Sequence, residues 1–372
     1  VTVGERTMRG SGGRISYRPL SPLALKGKAE PVAAWEALAI ADDNAAAPAR
    51  ATAAVPLVGR HDELAELERL YGRVADSGSP HLVTVIGQPG VGKTRLAREF
   101  EHLLAARAPP VSVRRGRSLP FGTSVVYWPL SELLRAECGI GEGDPAEVAW
   151  SKLAERFASA VGAAGDAAEQ VASRLAPIAR LLGAEAPGVQ ADALAEQDMR
   201  SARESFFGGV RACLEAIAQA EPIVIVWEDI HWADEGMLDL IEYLSEWLRA
   251  PILQVCSARE ELLERRSQWR SSRRSASVLF LDPLPAADAQ ELVSVLLRDA
   301  GANPTLLGAL VDRAGGNPLF AEEMVQRLAE VGSARAAELP DTVRGVLAAR
   351  IDSLPPLERA MVAHAAVVGR TF

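Results

Sequence analysis

The chain has 372 residues, enough for two or three domains with a sizeable core, and is 48% hydrophobic and 24% charged. A net charge of −9 argues against a general polyanion binder, so a nucleic-acid partner is not expected. Three widely spaced cysteines without a CxxC pair exclude a disulfide framework or zinc site and suggest a reducing compartment. No run of 18 apolar residues and no basic-then-apolar leader is present, so the sequence reads as soluble and cytoplasmic, without membrane contact.

Residues 1–40 carry short β segments at Val1–Val3, Arg14–Tyr17 and Trp35–Leu38. Forty residues rarely build a stable core alone, so this block is expected to end a domain lying mostly upstream. Residues 41–55 are Ala- and Pro-rich without apolar periodicity and read as a linker. After Pro56-Leu57-Val58-Gly59-Arg60 comes a helix carrying Leu64, Leu67 and Leu70. From 82 to about 282, strands at 82–86, about 111–115, 223–227, 252–257 and 278–281 alternate with helical stretches, and 130–220 is a long, mostly helical insertion. Crossovers of that kind imply parallel strands, hence an α/β domain over 56–284 with a doubly wound, five-stranded parallel sheet and its ligand at the carboxyl ends of the strands. Helices at 286–300, 303–314 and 318–331 make an all-α subdomain over 285–335, and Asp341 caps a further helix that opens another domain at 336–372. Val1 is not an initiator methionine and Phe372 follows an apolar helical stretch, so both ends read as cuts through a longer protein.

The residues that carry chemistry sit inside this frame. Gly87-Gln88-Pro89-Gly90-Val91-Gly92-Lys93-Thr94 is a full G-x-x-x-x-G-K-[ST] pattern between an apolar strand and an amphipathic helix. Glycines let backbone N–H groups curl around phosphates, Lys93 supplies a cation to the β- and γ-phosphates, and the Thr94 hydroxyl suits Mg²⁺. A second apolar strand, Ile223 to Trp227, ends in Glu228 and Asp229. A carboxylate at that place holds Mg²⁺ through water and a neighbour orients the attacking water, but the order of the two acids leaves open which does which. Arg259 follows a third strand, either facing a γ-phosphate or pairing at the surface with Glu260 and Glu261. Asp234 either caps the next helix or shapes the site, while His231 and Trp232 read as structural. Five arginines between Arg265 and Arg274 read as a solvated loop rather than a nucleic-acid patch, and Pro318 after Gly315-Gly316-Asn317 opens a helix.

In combination, Val58-Gly59-Arg60, the Gly87–Thr94 loop with Arg95-Leu96, Val126-Tyr127-Trp128-Pro129-Leu130, Glu228 to Asp234 and Gly316-Asn317-Pro318-Leu319-Phe320 resemble the ATPase region of bacterial STAND proteins (signal transduction ATPases with numerous domains). The type they resemble is fused behind a class III adenylate/guanylate cyclase domain. The resemblance implies an ASCE-type P-loop NTPase that binds ATP or ADP with Mg²⁺ and hydrolyses slowly as a switch. It implies that Arg95 extends the phosphate loop's contacts, that Val58 and Arg60 flank the adenine, and that Pro318 closes over it. It also implies an upstream cyclase domain, of which residues 1–40 (especially Leu25 to Val32) are the tail, a winged-helix start at 336–372, and a downstream helical or repeat region. The cyclase's own catalytic residues would precede Val1. A ring-forming AAA-type motor, a nucleotide-dependent oligomer, and cyclase activity in upstream residues remain as alternatives.

Overall fold

The computed structural model describes residues 2–4, 15–23, 32–40, 56–119, 126–141, 143–162, 168–187, 199–270 and 275–331. The expected linker at 41–55 and the expected winged-helix start at 336–372 lie outside the described residues. The chain divides into two compact units, Val1–Pro56 and Leu57–Phe372.

In the first unit, β1 (Thr2–Gly4), β2 (Ile15–Leu23) and β3 (Val32–Ile40) form an antiparallel sheet in the order β1-β3-β2. The strands run further than the sequence reading gave them. Pro19 and Pro22 break a strand pattern on paper, but β2 is an edge strand, where a missing N–H is tolerated. The pairing shifts register between Ser16 and Tyr17 and again between Leu20 and Leu23, around Pro22.

The second unit begins with α1 (His61–Ser77), β4 (His81–Gly87) and α2 (Lys93–Ala105). The edge strand β5 (Val113–Arg117) follows, then the helical insertion α3 (Trp128–Cys138), α4 (Ala146–Val161), α5 (Ala168–Leu181) and α6 (Met199–Ile217). The chain returns through β6 (Ile223–Glu228), α7 (Glu235–Trp247), β7 (Ile252–Ala258), the short α8 (Glu261–Arg265) and β8 (Ala276–Leu281). All five strands are parallel, in the order β5-β6-β7-β4-β8. β4, β6 and β7 are buried along their whole length, as expected for a sheet covered on both faces. Their side chains alternate between two cores: Val83, Val85, Val224 and Val226 pack under α1 and α2, while Leu82, Ile86, Ile225 and Trp227 pack under the insertion.

β5 lies two residues later than its apolar content suggests, because the ladder pairs Val113 with Val224 and Arg117 with Glu228. The sequence Val-Arg-Arg-Gly-Arg reads poorly as a strand, yet charged side chains suit an edge. Gly116 fixes the approach: a Cβ there would come within 2.7 Å of the Trp227 ring and collide with the Pro129 carbonyl. A helical subdomain completes the unit, with α9 (Ala286–Asp299), a 3-10 turn at Pro304–Leu306, α10 (Leu307–Ala314) and α11 (Pro318–Val331). No helix among the described residues is long and apolar enough to cross a membrane.

Candidate functional site

β4 ends at Gly87 and α2 begins at Lys93, so the eight-residue motif bridges the carboxyl end of a central strand and a helix N-terminus. The chain leaves β4 for the far edge and later returns to its other side, which opens a crevice at these strand ends. Gly90 (φ 81°) and Gly92 (φ 107°) hold left-handed conformations that let the loop fold back on itself. Helical hydrogen bonding resumes at Leu96 N–H to Gly92 O (2.9 Å), with the preceding N–H groups at the positive end of α2. The Lys93 ammonium is 9% exposed and donates to Gly87 O (2.7 Å) and Gln88 O (3.0 Å). Two of its three protons are used, and one remains for an anion. Burial lowers its pKa, Asp229 and Glu261 oppose that shift, and Arg259 adds to it. Thr94 follows at the first turn, half-buried, and Arg95 pairs with Glu99 at 3.6 Å.

The two acids after β6 have different surroundings. Glu228 is 8% exposed, and its carboxylate accepts from Arg115 Nη1 at 2.8 Å. Arg115 also binds Glu101 on α2, so Glu228 belongs to a charge network between β5, β6 and α2. Asp229 turns the chain in the left-handed region (φ 56°), and its N–H donates to Ser257 Oγ at 3.0 Å. Of these two acids it is the one that raises the Lys93 pKa, as Glu261 also does. Arg117 ends β5, with its guanidinium 3.9 Å from Glu228 and 3.7 Å from Asp229. Arg259 lies over the Trp232 ring, 5.0 Å from its centre. Both ring nitrogens of His231 are buried without a partner among the described residues, and burial pushes its pKa down to about 4. Asp234 is a cap: Oδ1 accepts from Met237 N (2.9 Å), and Oδ2 also accepts from Tyr127 N (3.0 Å).

No group of three or more His, Cys, Asp or Glu among the described residues forms a ready metal cage. One hydroxyl (Thr94) and one carboxylate (Asp229) beside a phosphate cradle instead fit Mg²⁺, which keeps most of its shell as water and phosphate oxygen.

The helical subdomain touches the phosphate loop directly. Asn317 Nδ2 donates to Pro89 O (3.0 Å), and Leu319 N–H donates to Gly90 O (3.2 Å). A Cβ on Gly90 would sit 2.6 Å from Asn317 Oδ1 and 2.9 Å from Leu319 Cβ. Pro318 therefore stands beside the loop as the first residue of α11. Leu284 N–H donates to Gly316 O (2.8 Å), which ties the same turn to the end of the sheet. A cleft of about 390 Å³ adjoins, lined by Gly59, Arg60, Phe280, Asp282, Pro283 and Asp288. Val58 is buried. The Arg60 guanidinium is bound to Glu63 (3.0 Å), Val91 O (3.4 Å) and Asp282 O, so it clasps α1, the phosphate loop and the end of β8 together.

A family model of the AAA ATPase domain matches residues 56–257, just over half of the chain and all of the geometry from the loop to β7. The chain belongs to this family. The chain also resembles an uncharacterized protein of Rhizobium meliloti (strain 1021), 28% identical over 352 residues that cover 92% of this chain and 31% of that protein. Among solved structures it is similar to a STAND protein with a tetratricopeptide repeat sensor from Pyrococcus horikoshii (13% identity, 84% of this chain, 34% of that one, TM-score 0.41). It is also similar to Cdc6p from Pyrobaculum aerophilum (15% identity, 79% of this chain, 66% of that one, TM-score 0.45). The chain thus spans about a third of the length of both the curated relative and the STAND structure.

Asp229 and Arg259 both act electrostatically on Lys93, whereas Glu228 is tied to Arg115. Sequence reasoning did not single out Arg115, Arg117 or the Asn317 side chain. The signal for the arginines was a charged strand paired with the acid-tipped one; nothing local marked Asn317 as reaching the loop.

Proposed function

We propose that this AAA ATPase domain is an ATP-binding, slowly hydrolysing regulatory switch in a multidomain cytoplasmic signalling protein. In this reading ATP or ADP sits on the Gly87–Thr94 loop, with Arg95 behind it and its adenine in the cleft beside Val58 and Arg60 under Pro318. Bound Mg²⁺ supplies charge neutralisation at the β- and γ-phosphates. Thr94 and Asp229 would hold it, Lys93 stays protonated and donates a hydrogen bond from its remaining N–H to a phosphate oxygen, and Arg259 leaves the Trp232 face for the γ-phosphate. Hydrolysis joins a water oxygen to the γ-phosphorus while the bond to the bridging oxygen breaks. ADP leaves with that electron pair, and the water's protons pass to phosphate and solvent.

The observation that carries the switch reading is the pair of hydrogen bonds from Asn317 and Leu319 to the loop carbonyls. A ligand that reshapes the loop acts on those carbonyls, so its identity biases how the helical subdomain sits. Slow turnover is supported by Glu228 being held by Arg115, which leaves Asp229 as the one of the two acids that acts electrostatically on Lys93. A cyclase domain upstream, with residues 1–40 as its tail, and a helical or repeat region downstream are the partners proposed within the parent chain.

The test is to purify the chain, identify the co-purifying nucleotide, and measure its release and turnover. Retained ADP, slow release and different proteolysis of α11 with ADP and ATP are expected. Fast hydrolysis with a hexameric mass would instead favour a ring motor.

A further inference from the structure

The strand order places the carboxyl ends of β5, β6 and β7 side by side, and each end bears a charge: Arg117, then Glu228 and Asp229, then Arg259. Arg117 differs from the other arginines of this region. Arg115 is hydrogen-bonded to Glu228, and Arg265 and Arg266 bind the acids of α7. The Arg117 guanidinium has two ion pairs, at 3.7 and 3.9 Å, both beyond hydrogen-bond length, and its side chain is 50% exposed. Its backbone is nonetheless fixed, since Arg117 N–H donates to Glu132 Oε2 at 2.9 Å and the residue is registered opposite Glu228. The result is a half-exposed, loosely paired cation on a fixed post, next to an acid that acts electrostatically on Lys93.

We propose that Arg117 is a γ-phosphate-binding arginine supplied by the same chain, paired with Arg259 across Asp229. The proposal rests on the reading of Asp229 and Lys93 as the triphosphate site. Exposed ion pairs of this length hold the side chain only weakly, so releasing it costs little. A charge-assisted contact to a phosphate oxygen is stronger than such a pair, and the guanidinium fork suits two oxygens at once. When Asp229 turns to a metal, its hold on Arg117 weakens, and the nearest new anion is the terminal phosphate. With one guanidinium on each side of the acid strand, the positive charge needed at the γ-phosphate comes from within a single chain. A second copy presenting an arginine is then unnecessary.

The test compares wild-type protein with Arg117→Ala, Arg117→Met and Arg117→Lys, each checked for an unchanged melting temperature. Affinities for ADP and for the non-hydrolysable analogue adenylyl imidodiphosphate are measured by calorimetry with Mg²⁺ present. Loss of a γ-phosphate contact predicts triphosphate affinity about tenfold weaker in the Ala and Met variants, ADP affinity within about twofold of wild type, and partial rescue by Lys. Wild-type turnover per subunit should also be independent of protein concentration. Equal losses for both nucleotides, or no loss for either, would overturn the assignment by leaving Arg117 a purely structural or surface residue. If the wild-type protein binds neither nucleotide, the triphosphate-site reading fails first and takes this one with it.

Discussion

Asn317 is the residue through which the phosphate loop and the helical subdomain can be uncoupled with least damage. Its side chain does two jobs: Nδ2 donates to Pro89 O at 3.0 Å, and Oδ1 accepts from Phe320 N at 3.2 Å as the cap of α11. Asn317→Ala removes both, at about 1 kcal/mol for the cap and about 1 kcal/mol for the hydrogen bond. Together these raise the opening constant of the junction about 30-fold. Asn317→Asp keeps an oxygen for the cap and removes only the donor, so about 1 kcal/mol, roughly a fivefold change, is expected. Amide hydrogen exchange separates the two roles. The Leu319 amide, bonded to Gly90 O at 3.2 Å, reports the junction, and the Phe320 amide reports the cap. Leu319 should exchange faster in both variants and Phe320 mainly in Ala. If Leu319 exchange is unchanged in both while Phe320 speeds up in Ala, the Asn317 bridge does not hold the junction and the coupling argument fails.

Other outcomes follow from the same geometry. Lys93→Ala should weaken nucleotide binding by about 10–100-fold through loss of a buried ammonium, and an unchanged calorimetric affinity would remove the basis of the site. Asp229→Asn should leave binding within about twofold while slowing phosphate release about a hundredfold, measured by single-turnover kinetics. Trp269→Phe leaves the buried Thr84 hydroxyl without its 2.9 Å indole partner, a loss of about 1–3 kcal/mol seen as a lower melting temperature; adding Thr84→Val should recover part of it. Burial lowers the His81 pKa from 6.5 to about 4, and the ring lies 3.0 Å from Ser277 Oγ. Between those values the unfolded chain binds a proton that the folded chain refuses. Stability is therefore full above pH 6.5 and falls as pH drops toward 4, by up to about 3 kcal/mol. Urea titrations of His81→Gln should show a shallower decline, and an identical one would refute the assignment.

The parts of this protein that are contiguous in sequence were readable there. The phosphate loop carries its whole chemistry in eight residues, and the apolar runs of β4, β6 and β7 announce strands buried on both faces. What was not readable depends on register and distance. Arg117 faces the acids because β5 pairs with β6 across more than a hundred intervening residues, and no local pattern encodes that offset. Asn317 reaches a loop 228 residues away. The arginine run read as a solvated loop, yet Arg265 and Arg266 bind Glu235 and Asp239 on α7, and Trp269 is buried against Thr84. Composition cannot distinguish an arginine in solvent from one whose partner lies a helix upstream.

Gly116 touches no phosphate, yet it works as a gauge block for the charges that do. Only a hydrogen fits between its Cα, the Trp227 ring and the Pro129 carbonyl, so β5 can lie against β6 at one spacing. A larger side chain would push the strand off or slide it by one residue, and a one-residue slide would turn both Arg115 and Arg117 to the opposite face of the sheet. A mutational-tolerance map of this chain should therefore show a second intolerant position as sharp as Lys93, at a glycine where nothing binds.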